Sequence, residues 1–181
     1  MGKRSDFPRR ERDFYVTPFE AVGPLVPYLP PGRTFIEPCI GDGALVRHLY
    51  RYLPDLTCIM GVDAKVPLVS AHYSLPLVSR DSTTESFAQT DMFITNPPWS
   101  RHILHPLLDN LLPQAPHTVL LIDADWAHTR QATPYLPHLA MIISVGRLKW
   151  IPDSKMTGKD NCAWYIFCRE RVNETVFIGR T

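Results

Sequence analysis

At 181 residues, with 45% hydrophobic and 20% charged residues, the chain reads as globular and soluble, with length for one domain and a full core. No run approaches the ~18 apolar residues of a membrane span, MGKRSDFPRRERDFY lacks a signal-peptide stretch, and Asp6 stands where a myristoylation signal wants Ser or Thr. A cytoplasmic location is expected, and a net charge of only +1 gives no overall nucleic-acid signature.

The charge is uneven. Residues 1–12 hold Lys3, Arg4, Arg9, Arg10 and Arg12 against Asp6 and Glu11. They read either as an arm that pairs with phosphates or as a solvated tail. Residues 13–181 read as a single domain, with no internal repeat and no linker. TFIEP (34–38) is a short strand ending in a Gly-rich turn, and ALVRHLYRYL (44–53) has helical apolar spacing, with Pro54 after it. LTCIMGVD (56–63) is a second strand ending in an acid. Residues 64–75 are ambiguous, and PLVSRD (76–81) is a candidate third strand. DMFITNPPW (91–99) is a fourth strand running into Pro-Pro, followed by the amphipathic HILHPLLDNLL (102–112). HTVLLIDAD (117–125) is a fifth strand, and its apolar run predicts burial on both faces. LAMIISVGRLKW (139–150) and NCAWYIFCRE (161–170) close the chain. The Gly-, Ser-, Asp- and Lys-rich segment between them predicts a hairpin, hence an antiparallel last strand.

Strands alternating with helices imply an α/β fold with a mostly parallel, covered sheet. The eighteen prolines punctuate the loops between apolar runs. Cys39, Cys58, Cys162 and Cys168 show neither C-x-x-C nor zinc spacing, and read as reduced thiols; no metal site is expected.

Three motifs carry chemistry. In Glu37-Pro38-Cys39-Ile40-Gly41-Asp42-Gly43, a strand, a tight turn and a helix set backbone N–H groups around a ligand. Gly41 and Gly43 have no Cβ, so a cofactor can approach the backbone. A dinucleotide site would want glycine where Val46 stands, so a cofactor without phosphate fits better. A plain strand-to-helix turn is the alternative. Asp63, 22 residues after Gly41, can accept from two ribose hydroxyls or cap a helix; Asp81 can accept from an adenine amine or form a turn.

The third motif is Asn96-Pro97-Pro98-Trp99. The exocyclic amine of a nucleobase is a weak nucleophile, because its lone pair is delocalised into the ring. Two acceptors, the Asn96 side-chain oxygen and the Pro97 carbonyl, can draw on its hydrogens and pull it toward sp³ geometry. Proline fixes φ and holds that carbonyl in place. Trp99 offers a face on which the extruded ring can stack. Such a site works by positioning, without a strong general base. Loop punctuation is the alternative.

With these motifs in this order, the chain resembles the Rossmann-like class I S-adenosylmethionine-dependent methyltransferases, and among them the amino-methyltransferases. Asp13-Phe14-Tyr15-Val16-Thr17-Pro18 is similar to the Tyr-x-Thr-Pro segment of DNA adenine-N6 methyltransferases, and MTGKDNCAWYIF (156–167) to the ends of small phage-type members. The resemblance covers residues 13–170. It implies a seven-stranded sheet of order 3-2-1-4-5-7-6, strand 7 antiparallel, with helices on both faces. It implies S-adenosylmethionine as cofactor, lined by Tyr15, Thr17, Pro18, Glu37, Pro38, Gly41, Gly43, Asp63, Asp81 and Asn96, with Asn96 to Trp99 holding the target amine.

Almost nothing is left for a separate target-recognition region, so recognition is expected to be short or relaxed. Trp99, Ser100, Arg101, Arg147, Lys149 and Lys155 are candidate substrate contacts, with Trp150 an aromatic among the basic residues. Trp126, after the fifth strand beside Asp123 and Asp125, either flanks the target pocket or has a core or helix-cap role. DNA adenine is the expected substrate. RNA bases, protein glutamine and a non-catalytic nucleic-acid-binding role are the alternatives.

Overall fold

The computed structural model describes residues 15–65, 75–151 and 157–180. The basic arm over 1–12, Asp13 and Phe14, most of the ambiguous stretch 64–75 and Lys155 lie outside them.

Eight strands form one sheet: β1 (Thr34–Glu37), β2 (Thr57–Asp63), β3 (Leu77–Ser79), β4 (Met92–Thr95), β5 (His117–Asp123), β6 (Leu139–Arg147), β7 (Asn161–Cys168) and β8 (Val176–Ile178). Their order is β3-β2-β1-β4-β5-β7-β6-β8. β7 is antiparallel to both β5 and β6, and the other pairings are parallel. The expected order and the antiparallel strand are both present. β8 is an addition, a short run of three residues placed outside β6.

Because side chains alternate across a strand, each central strand feeds two cores. Phe35, Cys58, Met92, Ile94, Val119, Leu121 and Trp164 pack with α1 (Ala44–Tyr52) on one face. Phe93, Leu120, Ile122, Tyr165 and Phe167 belong to the cores beneath α2 (Arg101–Leu111) on the other. Burying one such Leu or Phe contributes roughly 1.5–3 kcal/mol. All four residues of β4 are buried, which explains its unalternating apolar sequence.

Helices cover both faces as expected, α1 on one and α2 on the other, and 3₁₀ turns complete each layer. Three-residue and six-residue 3₁₀ turns at Phe19–Ala21 and Gly23–Tyr28 complete the α1 face, and Trp126–His128, Arg130–Ala132 and Leu136–His138 complete the α2 face. The cause is proline. Pro24, Pro27, Pro134 and Pro137 remove the N–H groups an α-helix would need there.

β1 leads into α1 on one face and β4 into α2 on the other. Since β1 and β4 are neighbours, the chain diverges above them and leaves a crevice at their carboxyl ends. Trp164 Nε1 donates to the Ala21 carbonyl at 2.7 Å, which ties the segment just after Thr17 to the sheet beside this crevice.

Candidate active site

The glycine turn is held from two sides. Gly41 and Gly43 have φ of 54° and 76°, the left-handed region, and Gly43 opens α1. Asp42, just before the N-cap glycine, closes the turn into the helix: its Oδ1 accepts from the Ala44 amide at 3.0 Å, and its Oδ2 pairs with Arg47 at 3.1 Å. The Ile40 amide donates to the Val62 carbonyl at 2.9 Å, pinning the turn to β2. Asp63, ending β2, accepts from the Gly41 amide at 3.0 Å on Oδ2 and from the Lys65 amide at 3.1 Å on Oδ1. Each oxygen keeps acceptor capacity, so this carboxylate can serve a diol as well as the loop.

Glu37 is 1% exposed. Its Oε1 accepts from the Cys39 amide at 3.4 Å, while Oε2 is buried without a hydrogen-bond partner. Burial pushes the carboxyl up to about 8, and the Asp63 charge adds to this. The Thr95 hydroxyl and the Cys39 amide pull it down, although Thr95 Oγ1 is not in good hydrogen-bonding geometry with any group. The Cys39 thiol is pushed up by burial first and then by Glu37, with Asp63 and Asp81 adding to it. Three carboxyls therefore converge on the start of the glycine turn. Asp81 itself is exposed and accepts from the Thr83 amide and hydroxyl at 3.0 and 2.7 Å, so it also builds the turn that follows β3. The neighbouring Ser82 hydroxyl donates to the Pro38 carbonyl at 2.6 Å and anchors that turn to the site.

Asn96 follows β4. Its side-chain Nδ2 donates to the Tyr15 carbonyl at 3.4 Å and to Thr17 Oγ1 at 3.2 Å. The amide is thereby oriented, and Oδ1 has no hydrogen-bond partner among the described residues. Pro97 is buried; Pro98 and Trp99 are half-buried. Trp99 Nε1 donates to the Leu121 carbonyl at 3.1 Å, which fixes its ring against β5. Trp150 meets Trp99 edge to face, with centroids 5.7 Å apart, and Tyr15 lies 6.0 Å from Trp150. Tyr15, Trp99 and Trp150 thus form an aromatic wall beside Asn96. Thr17 is buried and the Pro18 carbonyl accepts from Ala21 at 3.1 Å, so this segment roofs the crevice.

Of the other candidate substrate contacts, Ser100 stands at the start of α2, where its carbonyl accepts from Ile103 and Leu104, and Arg101 is exposed next to it. Arg147 and Lys149 are exposed at the end of β6. Trp126 is a correction: it is 6% exposed and packed among His105, Tyr135, Tyr165 and Phe167, with Nε1 donating to His105 Nε2 at 3.4 Å. It is core rather than pocket wall. Asp123 Oδ1 accepts from the Asp125 amide at 2.9 Å and shapes the turn after β5. Asp42, inside the glycine motif, pairs with Arg47, and Thr95, the last residue of β4, acts on the Glu37 carboxyl; no spacing marks either role. The Thr17–Asn96 contact crosses 79 residues and has no local sequence signal.

No family model matches the chain, and neither does any curated protein. Solved structures do. One is a protein of Pyrococcus horikoshii provisionally described as an RNA methyltransferase, 15% identical, with 93% of each chain covered and a TM-score of 0.61. A dimethyladenosine transferase from Plasmodium falciparum is 14% identical over 86% of this chain and 62% of that one, TM-score 0.58. The methyltransferase subunit of a type I restriction-modification system from Streptococcus thermophilus is 14% identical over 91% of this chain but 46% of its own length, TM-score 0.57. The fold is the Rossmann-like methyltransferase fold. At these identities the likeness establishes the fold alone. Among the described residues no helix is long and apolar enough to cross a membrane, and no His, Cys, Asp and Glu cluster could hold a metal ion.

Proposed function

We propose that the chain is an S-adenosylmethionine-dependent N-methyltransferase acting on an exocyclic amine, with N6 of adenine in DNA the preferred target, carried by a single domain over residues 13–181. The observation that carries this reading is the oriented amide of Asn96. With Nδ2 held by Tyr15 and Thr17, Oδ1 is left as an acceptor, on the residue before Pro97 and three before Trp99.

The residues present suit the cofactor. The orphaned Glu37 Oε2 wants a donor or a cation, and S-adenosylmethionine carries an ammonium. Asp63 has acceptor capacity for ribose hydroxyls, Asp81 for an adenine amine, and Gly41 and Gly43 leave the backbone open to close approach. When bound, the cofactor supplies an electrophilic methyl group on a sulfonium sulfur.

The protein's part is positioning. Trp99 stacks the target ring, its own rotation stopped by the Leu121 carbonyl. Asn96 Oδ1 and the Pro97 carbonyl accept the two amine hydrogens and localise the nitrogen lone pair. With the cofactor bound, an amine held this way would be presented to the methyl group, and its surplus proton would leave to solvent. The buried Pro97 and half-buried Asn96 keep water from competing for these acceptors.

The Tyr15–Pro18 segment supports DNA over RNA, because it is the feature that resembles the DNA enzymes. The RNA description of the Pyrococcus protein supports the alternative, an RNA base amine. Incubation with methyl-labelled S-adenosylmethionine and DNA, RNA or protein extract, followed by mass spectrometry of the product, separates them. N6-methyladenine in DNA is expected; label confined to RNA or protein would replace the DNA reading.

A further inference from the structure

The C-terminal strand β8 joins the sheet outside β6 and runs parallel to it, with Val176, Phe177 and Ile178 registered to Met141, Ile142 and Ile143. Its direction therefore carries the chain toward the carboxyl ends of β1, β2 and β4, where the site lies. Two residues beyond β8, Arg180 lies across Gly146. A Cβ built on Gly146 would stand 3.0 Å from Arg180 Nη1 and 3.3 Å from its Cζ. Gly146 has φ of +85° and sits at an irregularity in the β6–β7 register, so this position is glycine for two reasons, backbone conformation and the seat of the arginine.

The seat is next to Arg147, and Lys149 follows; both are exposed, as is Arg180. Among the described residues none of the three has an ion-pair partner. Asp160 adds a carboxylate here, beside Asn161, which pairs with Arg147, and Lys159 stands next to it. Asp123 lies further in, on β5. The edge is thus net basic. The seat on β6 lies three strand spacings from β4, about 14 Å at ~4.8 Å each. That is the reach of about four phosphates along a strand at ~3.4 Å per nucleotide.

We propose that Arg180, delivered by β8 and seated on Gly146, is a phosphate-binding residue that holds, with Arg147 and Lys149, the nucleic-acid strand flanking the target base. This rests on the reading of the chain as a nucleic-acid amino-methyltransferase. Long flexible cations on a rigid sheet edge give affinity without base readout.

The test is fluorescence anisotropy of the full chain with labelled single-stranded DNA, the matching RNA and a duplex, across a salt series. Calorimetry with S-adenosylmethionine runs alongside. Arg180→Gln is expected to weaken oligonucleotide binding several-fold and to reduce the slope of log K against log salt by about 0.7–0.9, the signature of one lost phosphate contact. Arg180→Lys is expected to keep the slope, and both variants to bind cofactor as the parent does. An unchanged slope in Arg180→Gln overturns the proposal. So does a parent chain that binds cofactor but none of the oligonucleotides, an outcome that leaves the cofactor site standing. A parent chain that binds neither overturns the underlying reading with it.

Discussion

Thr17 Oγ1 accepts a hydrogen bond from Asn96 Nδ2 at 3.2 Å, across 79 residues of sequence. The Tyr15 carbonyl, which can only accept, faces the same nitrogen at 3.4 Å, so the amide cannot turn around without losing that bond. Removing one of the two should loosen the orientation of Oδ1 more than it harms folding. Thr17→Val is expected to lower kcat by about tenfold, the scale of one neutral hydrogen bond at ~1.4 kcal/mol. Thr17→Ser should restore most of it. Steady-state kinetics with kcat and KM resolved separately check this.

Glu37 predicts a pH dependence. A carboxyl whose proton is held up to about 8 in the fold and released near 4.5 in the unfolded chain stabilises the fold fully below pH 4.5. That stability is lost progressively as pH rises toward 8. Without cofactor, the melting temperature should therefore fall across this window from Glu37's contribution, and Glu37→Gln should flatten the fall. A cation placed beside the carboxyl lowers its proton affinity, so cofactor binding near pH 7 should release a proton. Calorimetry in buffers of different ionisation enthalpy measures that proton directly.

Trp99 combines a stacking face with an anchored indole nitrogen. Trp99→Ala should weaken substrate binding by about 1–3 kcal/mol, roughly 5- to 150-fold in KM, with cofactor binding unchanged. Trp99→Phe keeps a face but loses the Leu121 bond, so its KM should fall between the two.

Trp126 serves the core, and its substitution should read as stability. Trp126→Ala removes a buried ring from a five-member aromatic cluster and should cost about 3–5 kcal/mol of folding free energy. Chemical denaturation checks this. KM of the folded fraction should stay unchanged, whereas a pocket-wall residue would raise it.

The strand order was legible because each central strand is a bounded apolar run with a chemically marked end: Glu37 and the glycines after β1, Asp63 on β2, Asn96 after β4. β8 was not, since Val176–Ile178 is three residues long with Val176 and Phe177 exposed, too short for a period. The 3₁₀ turns were hidden because proline signals a break without saying whether a short helix follows. Trp126 shows the limit at the site. Its place after β5 puts it at the ligand-bearing edge, but the direction of its side chain depends on packing against Tyr165 and His105, which no local spacing reveals. The same holds for Thr17, which sequence placed with the cofactor and the fold places against Asn96.

The proposed chemistry turns on the Asn96 amide drawing on a substrate amine. Its most direct test is single-turnover methyl transfer by Asn96→Ala, with S-adenosylmethionine binding measured on the same preparation. A loss of about 10²–10³ in rate is expected, the scale of removing one preorganised polar group from a transition state, with cofactor affinity largely retained. Transfer at the parent rate by a variant that binds cofactor normally would contradict it.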